Sequence, residues 1–173
     1  MIKIIEDFLN EEEIFGIEEV MKNCDWAYNR MAVREDRHEV VFWGKNLYGH
    51  GSDEMKKMIL TRIQDNTNKK FKIISAYVNW QTYGLDGTFH QDNPQNNLYS
   101  LVIYISSITK DNISEMGGYT EFIRDNKIER VEPYKGRAVI FNSNIFHRAL
   151  APKVKHILRK SVAVILEEIE WKF

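Results

Sequence analysis

The spacing of apolar residues changes once along this chain, from a helical period to an alternating one. Residues 1–8 contain the short strand-like run Ile2-Lys3-Ile4-Ile5. Ile14, Ile17, Val20 and Met21 then recur at steps of three and four, which gathers them on one face of a helix. Asn10 followed by Glu13 is a capping-box pattern that opens this helix, and Asn23 and Cys24 end it. Residues 26–43 read as mixed extended chain closing on Val40-Val41-Phe42-Trp43, and 49–53 as a turn. Met55, Met58, Ile59 and Ile63 give a second helix its buried stripe. Ser52 caps it, with Asp53 and Glu54 in the first turn, where negative charge is favoured.

From Phe71 onward the period shortens to two. Residues 71–83 predict one long strand ending at the turn Gly84-Leu85-Asp86-Gly87, and 98–106 another. Residues 119–124 and 127–131 form a hairpin about Asp125-Asn126. Residues 137–141 and 145–150 flank a turn at Asn142-Ser143-Asn144, and 159–168 closes the set. Two helices followed by seven or eight turn-marked strands predict an α+β, mostly β fold. It is a jelly roll, or double-stranded β-helix, with the N-terminal helices packed on one sheet. Neither a repeat nor a linker interrupts it, so residues 1–173 are expected to form one domain.

Composition changes this picture little. With 24 Lys and Arg against 25 Asp and Glu the net charge is −1, which argues against a nucleic-acid clamp. One cysteine, Cys24, rules out an internal disulfide and suits a reducing compartment. Neither a membrane-length apolar run nor a signal pattern is present, so a cytoplasmic protein with no membrane partner is expected.

The chemistry concentrates at Thr88-Phe89-His90-Gln91-Asp92, read as the close of a strand. In extended chain, residues two apart point the same way, so His90 and Asp92 aim an imidazole and a carboxylate at one place while Gln91 points away. A second histidine from a distant strand would complete a set of two His and one carboxylate, which suits non-haem Fe(II) with open positions. Of the other histidines, His38, His50 and His156 read as structural or solvated. His147 differs, because it follows Ile145-Phe146 in a short strand far enough along for the chain to return to the same mouth. By the same parity Arg159 and Ser161 share a face, and a guanidinium beside a hydroxyl is what the far end of a buried dicarboxylate needs. Taken alone, the arginine also fits an ordinary surface ion pair.

Taken together, these residues resemble the Fe(II)- and 2-oxoglutarate-dependent oxygenases, prolyl 4-hydroxylase-like branch. Tyr83 and Gly87 ahead of His90-x-Asp92 are similar to that branch's Tyr-x-x-Gly…His-x-Asp segment, with one extra residue in the first spacing. Gly117-Gly118-Tyr119-Thr120-Glu121-Phe122 resembles its Gly-Gly-x-Thr-x-Phe strand. Pro133, Gly136 and Ala138, with Phe141 and His147, resemble its Pro-x-x-Gly-x-Ala…Phe…His run. The resemblance implies that His90, Asp92 and His147 ligate iron and that Arg159 holds the distal carboxylate of 2-oxoglutarate. It further implies that Ser161 assists Arg159 and that Tyr83 and Tyr104 hydrogen-bond the co-substrate.

The implied activity is a dioxygenase that hydroxylates a small-molecule or peptide substrate, a peptidyl proline or a free amino acid, and releases succinate and CO2. Ascorbate is a candidate accessory reductant. The presence of Asp92, which related halogenases replace with a small residue, points to hydroxylation or demethylation. Two alternatives compete. One is a nucleic-acid dealkylase of the same superfamily, whose Asn-x-Tyr is loosely echoed by Gln81-x-Tyr83 but whose second spaced C-terminal arginine is missing. The other is a jelly roll that binds a sugar or ion without redox chemistry.

Overall fold

A computed structural model describes residues 1–22, 27–31, 41–47 and 52–169. The expectations for Asn23, Cys24, His38 and His50 lie outside them, as does most of the turn before Ser52. The elements run β1 (Ile2–Ile5), α1 (Glu11–Lys22), β2 (Ala27–Met31), β3 (Val41–Asn46), α2 (Ser52–Thr67), β4 (Phe71–Gln81) and β5 (Leu98–Tyr104). They continue with α3 (Ile113–Met116), β6 (Thr120–Arg124), β7 (Lys127–Val131), β8 (Ala138–Asn142), β9 (His147–Ala149) and β10 (Arg159–Glu168).

Two antiparallel sheets face each other. The larger has the order β1-β8-β5-β10-β4-β3-β2 and the smaller β7-β6-β9. Strands from opposite ends of the sequence are neighbours in the larger sheet, which is the jelly-roll connection expected from the sequence. The capping box forms as predicted. Asn10 Oδ1 accepts from the Glu13 N–H at 2.8 Å, and Glu13 Oε2 accepts from the Asn10 N–H at 2.9 Å. The Asp125-Asn126 hairpin turn holds both residues at positive φ, 50° and 59°, the geometry whose twist matches its strands. Among the described residues no helix is long and apolar enough to cross a membrane.

Alternation along the large sheet separates two environments. Val78, Leu101, Ile103, Ile140, Val162, Val164 and Leu166 form one buried cluster with Ile14, Ile17 and Met21 of α1 and Met55, Ile59 and Ile63 of α2. The opposite face looks toward the small sheet. There Tyr104, Phe122, Val131, Val139 and Phe141 make a second, smaller cluster. It fills only part of the space between the sheets, and the rest is left as a cavity.

Several strand bounds shift by one or two residues, and two differences from the sequence expectation bear on the site. β4 stops at Gln81 instead of Tyr83. Residues 88–92 are not a regular strand either; His90 makes one isolated bridge, to His147. Alternation nevertheless survives across that bridge, because one antiparallel pair is enough to fix which way neighbouring side chains turn.

Candidate metal centre and co-substrate cavity

His90 and His147 are paired through their backbones. The His90 N–H donates to His147 O at 3.0 Å, and the His147 N–H donates to His90 O at 2.9 Å. The rings therefore lie side by side, with centroids 4.5 Å apart. In each ring Nδ1 sits 2.9 Å from the carbonyl two residues earlier, Thr88 O for His90 and Ile145 O for His147. A carbonyl only accepts, so Nδ1 carries the proton and Nε2 presents its lone pair. Both Nε2 atoms face Asp92, at 3.6 Å from Oδ1 for His90 and 3.5 Å from Oδ2 for His147. One ligand atom from each of the three residues lies within 4.8 Å of the others, the arrangement of a facial donor set. Gln91 donates through Nε2 to Asn144 O.

The electrostatics follow from burial and proximity. Burial disfavours the Asp92 carboxylate, but contacts with His90, His147 and Ser100 outweigh it and hold the group below the usual carboxylate range. Burial also disfavours the His90 cation; Asp92 and the Thr88 carbonyl outweigh it and raise the ring's pKa. His147 is buried more deeply, and there burial wins and lowers it. Phe141 packs on the His147 ring at 4.6 Å between centroids.

A cavity of about 460 Å³ opens from this cluster along the inner face of the large sheet. Its walls include Asn79 and Gln81 of β4, Arg159, Ser161 and Ala163 of β10, and Thr120 of β6. Arg159 is 3% exposed, and its donors are held by neutral groups. Nε donates to Gly118 O at 2.8 Å, Nη1 to Gln81 Oε1 at 3.1 Å and to Ser161 Oγ at 3.3 Å, and Nη2 to Thr120 Oγ1 at 2.9 Å. Gly118 holds φ at +84°, a conformation glycine adopts without strain. A guanidinium has five N–H donors, so one remains uncommitted. Among the described residues no carboxylate lies within 4.0 Å of Arg159, although burial pushes its pKa down. A buried cation without an anion is costly, and an anionic ligand would offset that cost.

The remaining expected residues fall in different places. Ser161, 1% exposed, lines the cavity beside Arg159. Tyr104 is fully buried behind the wall; its hydroxyl is 2.7 Å from Thr120 Oγ1 and it does not line the cavity. Tyr83 is 48% exposed and outside it, with Lys155 Nζ 5.8 Å from its ring centroid. Had β4 continued, Tyr83 would share the inward face with Asn79 and Gln81; the chain turns after Gln81 and carries it out. His156 is exposed, as expected of a solvated loop.

Sequence reasoning missed Gln81, Thr120, Ser100 and Ser143. Gln81 could have been found from the β10 register, since it stands opposite Arg159 and shares its face. Thr120 was already inside a recognised motif. Ser100 and Ser143 carry no sequence signal, because their roles depend on a fold that brings the turn after β8 against the start of β5.

No curated protein matches the sequence. Among solved structures, a 2OG-Fe(II) oxygenase-family oxidoreductase from Burkholderia pseudomallei superposes with a TM-score of 0.76 at 11% identity, covering 96% of this chain and 84% of that one. HygX from Streptomyces hygroscopicus, with nickel, 2-oxoglutarate and hygromycin B bound, gives 0.71 at 9% identity over 99% and 85%. A prolyl hydroxylase from Trichoplax adhaerens, in complex with a hypoxia inducible factor peptide fragment, gives 0.70 at 16% identity over 97% and 83%. These likenesses establish the fold. Residues 78–166, half of the chain and the part carrying His90, Asp92, His147, Arg159 and Ser161, match the family model described as the 2OG-Fe(II) oxygenase superfamily, and the chain belongs to that family.

Proposed function

We propose that His90, Asp92 and His147 hold Fe(II), that Arg159 with Ser161 and Thr120 binds the distal carboxylate of 2-oxoglutarate, and that the enzyme hydroxylates an uncharged group presented by a larger molecule. The chain is a 2-oxoglutarate-dependent dioxygenase by family. The observation that carries the residue assignment is Arg159, a buried cation with a spare donor and no acidic partner among the described residues, in one cavity with a converging His-Asp-His set.

When bound, Fe(II) and 2-oxoglutarate supply dioxygen activation, with the co-substrate oxidised to succinate and CO2. The chain's own residues do the rest. The Thr88 and Ile145 carbonyls keep both Nε2 lone pairs aimed inward, so the donor set needs little rearrangement on loading. Arg159 gives the co-substrate one orientation, because its other donors are already fixed by Gly118, Gln81, Ser161 and Thr120. Ser161 accepts from Arg159 and keeps its hydroxyl hydrogen available to a carboxylate, while the Thr120 hydroxyl accepts from Arg159 and also bonds the Tyr104 hydroxyl.

Apart from Arg159 and the three ligand residues, no charged side chain among the described residues lines the cavity. Phe89, Pro94 and Phe146 line it too, with Phe146 48% exposed. This supports a peptidyl side chain such as proline over a free amino acid, whose two charges would lack partners. We also place the protein in the cytoplasm as one domain, on its single cysteine and the absence of a linker. The test is anaerobic loading with Fe(II) and 2-oxoglutarate, then air and a library of peptides and metabolites. Succinate release with a substrate mass gain of one oxygen is expected. Absence of any 2-oxoglutarate turnover, coupled or uncoupled, would refute it.

A further inference from the structure

We propose that Ser143 and Ser100 form a two-hydroxyl relay that fixes the rotamer of Asp92 and leaves Oδ1 as its single donor to the metal. This rests on the assignment of Asp92 as a ligand. Both serines are buried, at 2% exposure for Ser100 and 0% for Ser143, and they come from different parts of the fold. Ser100 Oγ donates to Asp92 Oδ2 at 2.5 Å and lies 2.9 Å from Ser143 Oγ. An ionised carboxylate only accepts, so the one hydroxyl hydrogen of Ser100 is committed to Asp92. Ser143 must then be the donor to Ser100. The polarity runs one way, from Ser143 to Ser100 to Asp92.

The backbone around Ser143 strengthens the hold. Its N–H donates to Leu98 O at 3.0 Å, and its carbonyl accepts from the N–H of Asn93, the residue after Asp92, at 3.2 Å. Ile145 of the same turn supplies the carbonyl that orients His147. Residues 143–145 therefore set both the carboxylate and the second imidazole. A carboxylate with two free oxygens can chelate and take an extra coordination position. With Oδ2 already accepting from Ser100, Oδ1 is the better remaining donor, and one-oxygen binding by Asp92 would keep the other positions of the facial set open. Ser100 and Ser143 are positioning residues, since neither touches the reacting atoms.

The test is Mn(II) titration of the full chain as parent, S100A, S143A and the double variant, with circular dichroism to follow the fold. S100A is expected to weaken Mn(II) binding by about 10- to 100-fold, the usual effect of removing an outer partner of a metal ligand. S143A should weaken it less. Because Ser143 acts through Ser100, S143A should add nothing in the S100A background, whereas two independent packing defects would add. The visible absorption of the Co(II)-loaded S100A protein should also shift as Asp92 takes a second coordination position. Mn(II) affinity in S100A within twofold of the parent, or additive effects, would overturn the relay. Should S100A fail to fold, S100C, which keeps a weaker donor, carries the same comparison. A parent that does not bind Mn(II), or an H90A variant that binds it equally well, would instead overturn the ligand assignment.

Discussion

Arg159 and Gln81 stand opposite each other across the β10–β4 pair, and Nη1 of the arginine donates to Oε1 of the glutamine at 3.1 Å. Gln81 is 3% exposed, and its Nε2 reaches Ala149 O at 3.3 Å. One amide thus links Arg159 to β9, the strand that begins with His147. The two ends of the cavity are held by one set of hydrogen bonds.

Loss of a metal ligand should abolish loading without unfolding the chain. H90A and D92A are expected to bind no Mn(II) at concentrations that saturate the parent, while thermal unfolding stays cooperative, because the helix-side core lies on the other face of the large sheet. Full metal occupancy in both variants would remove these residues from the site.

Arg159→Ala should raise the KM for 2-oxoglutarate by at least about 10-fold, as expected for a lost charge-assisted hydrogen bond. Mn(II) affinity should hardly change. In the metal-loaded parent, 2-oxoglutarate should also raise Tm, by mass action on the folded state, and that rise should disappear in the variant. Equal KM in the two proteins would separate Arg159 from the co-substrate.

Gln81→Leu and Tyr83→Phe distinguish the buried position from the exposed one. The first leaves an Arg159 donor without its partner and should raise the KM for 2-oxoglutarate several-fold, at a cost of about 1–3 kcal/mol in stability. The second should change neither KM nor stability measurably, since Tyr83 lies outside the cavity. A KM increase confined to Tyr83→Phe would reverse the assignment.

Glu168 gives a pH test away from the cavity. Its Oε2 accepts from Lys69 Nζ at 2.7 Å and from the Tyr99 hydroxyl at 2.8 Å. The Lys69 contact leads the effects that hold its pKa below the usual 4.5. A depressed folded pKa means stability that is present above the unfolded value and lost as pH falls through the folded one. The Tm difference between parent and Glu168→Gln should therefore be largest near neutral pH and fade below about pH 4.5. A difference that persists at pH 3 would mean the ion pair is not its source.

Packing on the helix side has its own test. Ile59 of α2 is fully buried against the large sheet. Ile59→Ala should cost about 2–5 kcal/mol in denaturant unfolding, as large-to-small core changes do. Iron and 2-oxoglutarate affinities should be spared in the protein that remains folded.

Much of this protein was determined by local chemistry. The Asn10–Glu13 cap, the Asp125-Asn126 turn and the bounds of β10 follow from short-range rules of backbone geometry, and each forms where its residues predict. Alternation alone put His90 with Asp92 and Arg159 with Ser161, because a two-residue period holds wherever the chain is extended. Only the tertiary structure could decide what depends on where an element stops or which distant segments meet. β4 ends two residues early, so Gln81 faces the arginine and Tyr83 faces solvent. The turn after β8 meets the start of β5, so two serines with no sequence signal close on Asp92. The inner apolar cluster is too small to fill the space between the sheets, and that shortfall in packing leaves the cavity.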